Sequence, residues 1–485
     1  MMLLSQAAQV LGGKLSGADV EFGAVSSDSR KITAGDLFIA LKGENFNGSE
    51  FIAAAVHDGA VAAMVDAASF RAESPCPALL VDDTRIALGR LAAYWRAQFS
   101  LPMVALTGSN GKTTVKEMLA SILREETGNT DAVLATEGNL NNDIGMPLTL
   151  LKLRTAHRYA VIEMGMNHPG EIGYLTRIAR PDVAIINNAA SAHLAGLGTV
   201  EAVARAKGEI FAGLPEDGIA IINADDKFAP LWRDLAAPRR VVDFALDAEA
   251  AVGACWDVTD FGIHMEIITP DGAVNVHLQV PGAHNARNAL AATAAAVALH
   301  IPRETIARGL EKFAGVAGRL QRKTGRHGAT VIDDTYNANP DSVRAALQVL
   351  AQAPGRRIFV MGDMGELGVH EGSFHAESGA LARQLCIQRL LALGELSRDS
   401  VRAFGAGAQH FDDVESLCAV LDKELDPATT VLVKGSRFMK MERVVKYMES
   451  GEGGERSEGP ESGRDTPHSP LSASHFPEEK TCCSH

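Results

Sequence analysis

The run Met103-Val104-Ala105-Leu106-Thr107-Gly108-Ser109-Asn110-Gly111-Lys112-Thr113-Thr114 carries the plainest chemistry in the chain. Its apolar half reads as a buried strand ending at Thr107, and Thr113 to Glu126 reads as a helix. Glycines between a strand and a helix let backbone N–H groups converge on phosphate oxygens, and the helix start adds the positive end of its dipole. Lys112 is placed to reach terminal phosphates, and the hydroxyl of Thr113 to ligate Mg²⁺. The spacing predicts an ATP or GTP loop, although the usual glycine five residues before Gly111 is replaced by Leu106 and the first glycine comes at Gly108.

Other reactive residue types follow apolar runs. Glu163 lies near the end of Tyr159–Met164, where it is either a loop cap or a Mg²⁺ ligand beside the phosphate loop. His193 follows Asn187-Asn188-Ala189-Ala190-Ser191-Ala192; read alone, a loop histidine is structural. Lys207 falls in a helix expected over Thr199 to Leu214, where a surface lysine is the default. Asn285 and Asn288 stand on one helical face at i,i+3 with the donors and acceptors that read an adenine edge, while Asn285 also suits an N-cap. Lys434 and Arg437, in Lys434-Gly435-Ser436-Arg437, suit either an anion or a solvated turn. Ser26-Ser27-Asp28-Ser29-Arg30 suits a sugar or base contact or a polar turn, with the turn favoured.

The elements that must position these groups alternate. Residues 1 to about 98 mix helices (Ser5–Leu11, Glu50–Asp58) with strands (Asp36–Leu41, Ala62–Val65), and a helix over Leu88–Phe99 precedes Ser100-Leu101-Pro102. From 103 to about 315, strands at Met103–Thr107, Ala132–Thr136, Tyr159–Met164, Val183–Asn188 and Ile219–Asn223 recur between helices. That alternation predicts a parallel sheet with ligands at its carboxyl edge. A second such pattern starts near 316. Its strands are Thr330–Asp333, Arg357–Met361, Arg389–Leu393 and Thr430–Val433, the second running into Gly362-Asp363-Met364-Gly365-Glu366-Leu367-Gly368. Residues 451–485 lose apolar periodicity and read as a disordered tail.

The bulk numbers bound the function. A length of 485 residues predicts several domains. A net charge of −14 argues against a nucleic-acid partner held by phosphate contacts. No run approaches the ~18 apolar residues that span a bilayer, and Ala289–Leu299 reads as a buried helix. No secretion signal is read, and the scattered cysteines show neither metal spacing nor a disulfide framework, so a cytoplasmic protein without membrane insertion is expected.

Taken in order, these motifs resemble the Mur ligases, ATP-dependent amide-forming enzymes of peptidoglycan precursor synthesis. The resemblance rests on T-G-x-N-G-K-T at Thr107–Thr113, Glu137-Gly138-Asn139-Leu140-Asn141-Asn142, Glu163-Met164-Gly165, Ala206-Lys207-Gly208-Glu209-Ile210-Phe211, His284-Asn285-Ala286-Arg287-Asn288, Asp334-Thr335-Tyr336-Asn337-Ala338-Asn339-Pro340 and Lys434-Gly435-Ser436-Arg437. It implies an α/β chain of three domains: a small uridine-nucleotide domain (1–98), a central P-loop ATPase domain with a parallel sheet (99–315) and a Rossmann-like domain (316–450). It implies ATP and two Mg²⁺ ions, with Lys112, Glu163, His193 and Lys207 as catalytic residues. Metal ligation would fall to Thr113, Glu163, His193 and a carbamylated Lys207.

By the same resemblance, ATP contacts would come from Thr107, Gly108, Ser109, Asn110, Gly111, Lys112, Thr113, Thr114, Asn285, Asn288, Arg319 and Asp334. UDP-substrate contacts would come from Ser27, Asp28, Ser29, Arg30, Asn139 and Asn142. Tyr336, Asn337, Asn339, Lys434, Ser436 and Arg437 would line the amine-substrate region. The D-N-P-R signature of the diaminopimelate-adding branch is absent. That favours UDP-N-acetylmuramoyl-tripeptide and D-alanyl-D-alanine as small-molecule substrates of a monomer. Another ligase of the superfamily (a folylpolyglutamate synthase or a diaminopimelate- or lysine-adding enzyme) and a non-catalytic ATP-binding regulator stand as alternatives.

Overall fold

The computed structural model of the chain describes residues 1–43, 46–70, 74–191 and 194–450. His193 and the tail expected over 451–485 lie outside the described residues. Among the described residues two compact units emerge, one built from residues 1–91 and the other from residues 92–450.

In the first unit, α1 (Leu4–Leu11) precedes a five-stranded sheet of β1 (Lys14–Ser16), β2 (Ala24–Ser26), β3 (Asp36–Ile39), β4 (Ala62–Asp66) and β5 (Ala78–Val81), with α2 (Ile52–His57) between β3 and β4. The sheet order is β1-β5-β4-β3-β2, parallel except for the β1–β5 edge. Phe38, Ala63 and Val65 form its core with Ala55 of α2. The chain leaves through α3 (Thr84–Arg96), which starts four residues earlier than the apolar pattern suggested because Asp83 accepts the Arg85 and Ile86 amides at its head.

The second unit opens on β6 (Met103–Thr107), buried at every residue, and α4 (Lys112–Thr127). There follow β7 (Val133–Ala135), α5 (Gly145–Leu150), β8 (Tyr159–Glu163), α6 (Glu171–Ala179), β9 (Val183–Ile186), α7 (Val200–Gly208), β10 (Ile219–Asn223), α8 (Ala229–Ala236) and β11 (Arg240–Phe244). All six strands run parallel in the order β7-β8-β6-β9-β10-β11. The chain therefore leaves β6 for one side of the sheet and later crosses to the other. The polar loops after β6, β8 and β9 are brought side by side at that reversal. The helix carrying Lys207 stops at Gly208, short of the expected Leu214, and continues as a 3₁₀ turn over Glu209–Gly213.

An antiparallel sheet of β12 (Gly253–Val258), β13 (Ile263–Thr269) and β14 (Gly272–Leu278) then covers the far side. Ile263, Met265 and Ile267 turn inward at every second position of β13. The alanine-rich α9 (Ala283–Ala298) is buried along nearly its whole length and packs on α4, as does α10 (Arg303–Glu311). Alanine makes that close approach possible.

The remaining chain builds a second six-stranded sheet from β15 (Gln321–Thr324), β16 (Thr330–Asp334), β17 (Arg356–Gly362), β18 (Arg389–Leu393), β19 (Ala408–Phe411) and β20 (Thr429–Lys434). Its order is β15-β16-β20-β17-β18-β19, with only β15 antiparallel. Helices α11 (Pro340–Gln352), α12 (Glu371–Gln384), α13 (Ser397–Phe404), α14 (Val414–Asp422) and α15 (Glu442–Glu449) flank it. The sheet has apolar clusters of its own on its two faces. Its α11 starts sharply because Asn339 and Ser342 form a reciprocal capping box and Pro340 occupies the first turn.

Candidate active site

The phosphate loop is held from the β9 side. Ser109 N donates to Asn188 O at 3.1 Å and Asn110 N to Asn188 Oδ1 at 2.9 Å. Asn187 Nδ2 donates to Asn110 O and to Asn288 Oδ1, both at 2.9 Å. Gly111 sits at φ 78°, and a Cβ there would lie 2.3 Å from Asn288 Oδ1, so only glycine fits the turn. The first i to i−4 bond of α4 runs from Val115 N to Gly111 O. The amides of Lys112, Thr113 and Thr114 precede it at the positive end of the helix, the arrangement that takes an anion.

Thr113 is the meeting point of three elements. Its hydroxyl donates to Glu163 Oε2 at 2.9 Å and accepts from Arg319 Nη2 at 2.9 Å. Glu163, buried at the end of β8, takes a second bond from Asn141 Nδ2 at 2.7 Å, and its own amide donates to Thr136 Oγ1. Lys112 Nζ donates to Gly108 O at 2.7 Å. Burial pulls its pKa below the ordinary lysine value, against the opposing pull of Glu163. Arg319 lies over the Tyr336 ring at 4.2 Å, and its Nε is buried with no partner, a donor left over for an anion.

Lys207 is not on the surface. Its side chain is buried, no hydrogen bond or ion pair is found for it among the described residues, and burial reinforced by the charge of Lys112 drives its pKa well below 10.5. The default expectation failed because α7 is clamped between its neighbours, Trp232 of α8 donating to Ala204 O. Desolvation and a neighbouring cation both disfavour the charged form of the amine.

Asn285 is not the N-cap of α9; that position is Gly282, at φ 92°. Asn285 Nδ2 donates to Pro281 O and Asn288 Nδ2 to Asn285 Oδ1. With Asn288 Oδ1 also accepting from Asn187, the pair buttresses the phosphate loop. Arg319 and Asp334 bond different partners, Arg319 the Thr113 hydroxyl and Asp334 the Lys434 ammonium. Asp334 is buried against Lys434 Nζ at 2.6 Å, with burial raising its pKa and Lys434 opposing that rise. Lys434 is thus not a solvated turn residue.

Around that ion pair, Asn337 O accepts from Lys434, Ser436 Oγ donates to Ala338 O, and Asn339 Nδ2 donates to Asn110 Oδ1 at 2.7 Å. Asp341 Oδ2 accepts from Ser191 N. The second sheet thereby touches the phosphate loop and the loop after β9. Arg437 is exposed, paired with Glu442 at 3.2 Å. Asn139 and Asn142 are exposed on the loop after β7. In the first unit, Ser27, Asp28 and Ser29 are half-buried and Arg30 is exposed; Arg30 grips both Asp28 oxygens, holding that carboxyl below its ordinary pKa.

Three residues that sequence reasoning left out of the site belong to it. Asn141 grips Glu163, Asn187 braces the loop, and the fully buried Lys116 donates to Thr136 O, fixing the root of the loop that carries Asn141. An asparagine directly after β9, another in the polar loop after β7, and a lysine one helical turn beyond Lys112 were the available signals. Among the described residues no three His, Cys, Asp or Glu side chains cluster as a metal site. A hydroxyl and a carboxylate 2.9 Å apart nonetheless suit a hard cation completed by phosphate oxygens.

Three family descriptions match the chain: Mur ligase family, catalytic domain over residues 21–96; Mur ligase middle domain over 106–296; and Mur ligase, glutamate ligase domain over 318–437. The UDP-N-acetylmuramoyl-tripeptide–D-alanyl-D-alanine ligase of Escherichia coli K12 is 44% identical over 92% of this chain and 98% of its own. The Haemophilus influenzae protein of the same name is 40% identical over 91% and 96%. A crystal structure of MurF from Acinetobacter baumannii superposes with a TM-score of 0.85 at 38% identity, covering 91% of this chain and 97% of that one. MurF ligase from Thermotoga maritima in complex with ADP gives 0.76 at 27%, covering 87% and 96%.

Proposed function

Because the chain belongs to the Mur ligase family, we propose that it uses ATP to join D-alanyl-D-alanine to UDP-N-acetylmuramoyl-tripeptide, giving the pentapeptide precursor of peptidoglycan. The observation that carries this reading is the Thr113 hydroxyl, shared between Glu163 of the central sheet and Arg319, which stands just before β15 of the second six-stranded sheet. A phosphate loop whose hydroxyl serves both sheets suits phosphoryl transfer between substrates that arrive from different domains.

A carboxylate is a poor electrophile, so the γ-phosphoryl group of ATP passes first to the terminal carboxylate of the tripeptide. The dipeptide amine then attacks the acyl carbon, the C–N bond forms, and the C–O bond to phosphate breaks with phosphate taking the electron pair. Lys112 and the leading amides of α4 hold the terminal phosphates, and Arg319 steadies them from the other side. Thr113 and Glu163 would hold one Mg²⁺, and His193 with Lys207 a second; bound there, Mg²⁺ offsets the repulsion between ATP and the anionic acceptor. A neutral Lys207 amine adds CO₂ and releases a proton, giving a carbamate with the oxygen donors such a cation takes; its burial without a partner supports this. Asn139, Asn142 and Ser27 to Arg30 would contact the uridine nucleotide. We take the domain bounds as 1–98, 99–315 and 316–450, and the enzyme as a cytoplasmic monomer. Among the described residues no helix is long and apolar enough to cross a membrane.

Phosphate release from ATP is the test, with UDP-N-acetylmuramoyl-tripeptide, with and without D-alanyl-D-alanine, followed by product mass. Release that requires the dipeptide, with product heavier by that dipeptide, is expected. Turnover with a free amino acid alone would keep the family and reject the acceptor, and silence with every amine would return the regulator reading.

A further inference from the structure

The antiparallel sheet of β12, β13 and β14 turns one face to the core and the other to solvent. Ile263, Met265 and Ile267 of β13 point inward, so the residues between them, and those paired with them, form the outer face. Its composition is unusual. The three strands hold neither lysine nor arginine, and the exposed side chains of Asp257, His264, Glu266 and His277 make no hydrogen bond or ion pair among the described residues. At the rim of the same sheet, by contrast, Asp260 is met by Arg322.

The register decides how close these groups come. His264 stands directly opposite His277, and Asp257 opposite His264. The amide of His277 points away from β13 and donates to Glu311 Oε1 of α10 at 3.3 Å. A residue whose N–H turns away from the neighbouring strand belongs to a non-hydrogen-bonded pair. Such pairs hold their Cα atoms about 4.5 Å apart with the side chains drawn together, against about 5.5 Å in the hydrogen-bonded kind. The β12–β13 turn agrees. Thr259 N donates to Gly262 O, and the two kinds of pair alternate along the ladder, so His264 exchanges its backbone bonds with Asp257 of β12 and leaves its other side for the close approach to His277. Glu266 stands in the next close pair, opposite Asn275 on the same face.

Two imidazoles held side by side by strand pairing lose little freedom when a ligand joins them. Imidazole is a ligand for borderline cations and a poor one for Mg²⁺. The carboxylates of the face add negative charge, and no lysine or arginine of these strands opposes a cation. Among the described residues no three such side chains converge, so the histidine pair is the nucleus of the site and Glu266 joins it by rotating its side chain.

We propose that the outer face of this sheet binds one borderline transition-metal ion, Zn²⁺, Ni²⁺ or Cu²⁺, between His264 and His277, with Glu266 and water completing its coordination. The ion ties β13 to β14 across the ladder, and β14 packs on α10, so it fastens the edge of the sheet that leans on that helix. It is chemically separate from the cation place at Thr113 and Glu163, whose donors are oxygens.

The experiment uses the full chain, stripped with EDTA and with its accessible cysteines alkylated so that the adjacent Cys482 and Cys483 do not compete. ZnCl₂ is titrated calorimetrically in excess Mg²⁺ without nucleotide. Wild type should take up one Zn²⁺ more than the double variant His264→Asn with His277→Asn, and either single variant should bind that ion at least about tenfold more weakly. Zn²⁺ should raise the apparent melting temperature of wild type by more than that of the double variant. Without Zn²⁺ the two should melt alike, because both histidines are exposed. Asn275→Ala, on the same face, should bind as wild type does. Equal Zn²⁺ uptake by wild type and the double variant, or a loss as large in Asn275→Ala as in His277→Asn, overturns the assignment.

Discussion

Gly111→Ala puts a single methyl group where the structure has no room. The residue sits at φ 78°, which costs an alanine about 1 kcal/mol. The new Cβ would lie 2.3 Å from Asn288 Oδ1 and 2.6 Å from Asn187 Nδ2, the two atoms of a buried hydrogen bond. Forcing them apart strands buried polar groups at about 1–3 kcal/mol, so the site should lose about 2–4 kcal/mol. Hydrogen exchange of the β6 and α4 amides reads that locally, with exchange faster by about a hundredfold. The ATP KM should rise in parallel. Gly108→Ala is the control: its φ is not left-handed and its Cβ would meet Asn187 Cβ at 3.0 Å, Asn110 O at 3.3 Å and Asn188 N at 3.5 Å, contacts looser than those at Gly111, so its effect should be clearly smaller. Gly111→Ala combined with Asn288→Ala removes the obstructing oxygen and should recover part of the loss, leaving the backbone cost. Equal behaviour of Gly111→Ala and Gly108→Ala would refute the reasoning.

Three further outcomes follow from the same geometry. Lys207→Met should abolish ligation yet raise the apparent melting temperature in bicarbonate-free buffer. The folded-state pKa of Lys207 lies below its unfolded value, so between the two the unfolded chain binds the extra proton and wild-type stability climbs with pH by about 1.4 kcal/mol per unit, a slope the variant should lack. Burial and the charges of Lys434 and Arg287 press the pKa of His284 down from 6.5 to about 4. Stability should therefore fall as pH drops from 6.5 toward 4, and urea titrations of His284→Asn should show a shallower fall. Arg319→Lys should raise the ATP KM about tenfold or more, because an ammonium cannot both bond Thr113 and lie flat over Tyr336; an unchanged KM would remove Arg319 from the nucleotide site.

What could be read in the sequence was whatever is local. Strand, glycine turn and helix lie within consecutive residues, so Lys112, Thr113 and the all-buried β6 were legible, and strand alternation predicted both parallel sheets. The β12–β14 sheet was missed although Ile263, Met265 and Ile267 alternate. The burial of Lys207 was invisible because it is decided by what packs on α7, in particular Trp232, from another part of the chain. Asn141 and Asn187 looked like ordinary loop asparagines until β8 and β9 were set beside β6. For the same reason the partners of Asn288 and Asp334 could not be foreseen: each is held by a residue about a hundred positions away.

The second six-stranded sheet encloses its own apolar clusters and is joined to the central domain by one continuous run of chain. Its specific dialogue with the phosphate loop passes through few side chains, chiefly Arg319 on Thr113 and Asn339 on Asn110. Such a domain is transplantable in principle: a graft that keeps those two anchors could import foreign loops after β17 and β20 without disturbing the register of β6, β8 and β9. The phosphate loop with its strands and the loops that face it from the second sheet would then be inherited separately.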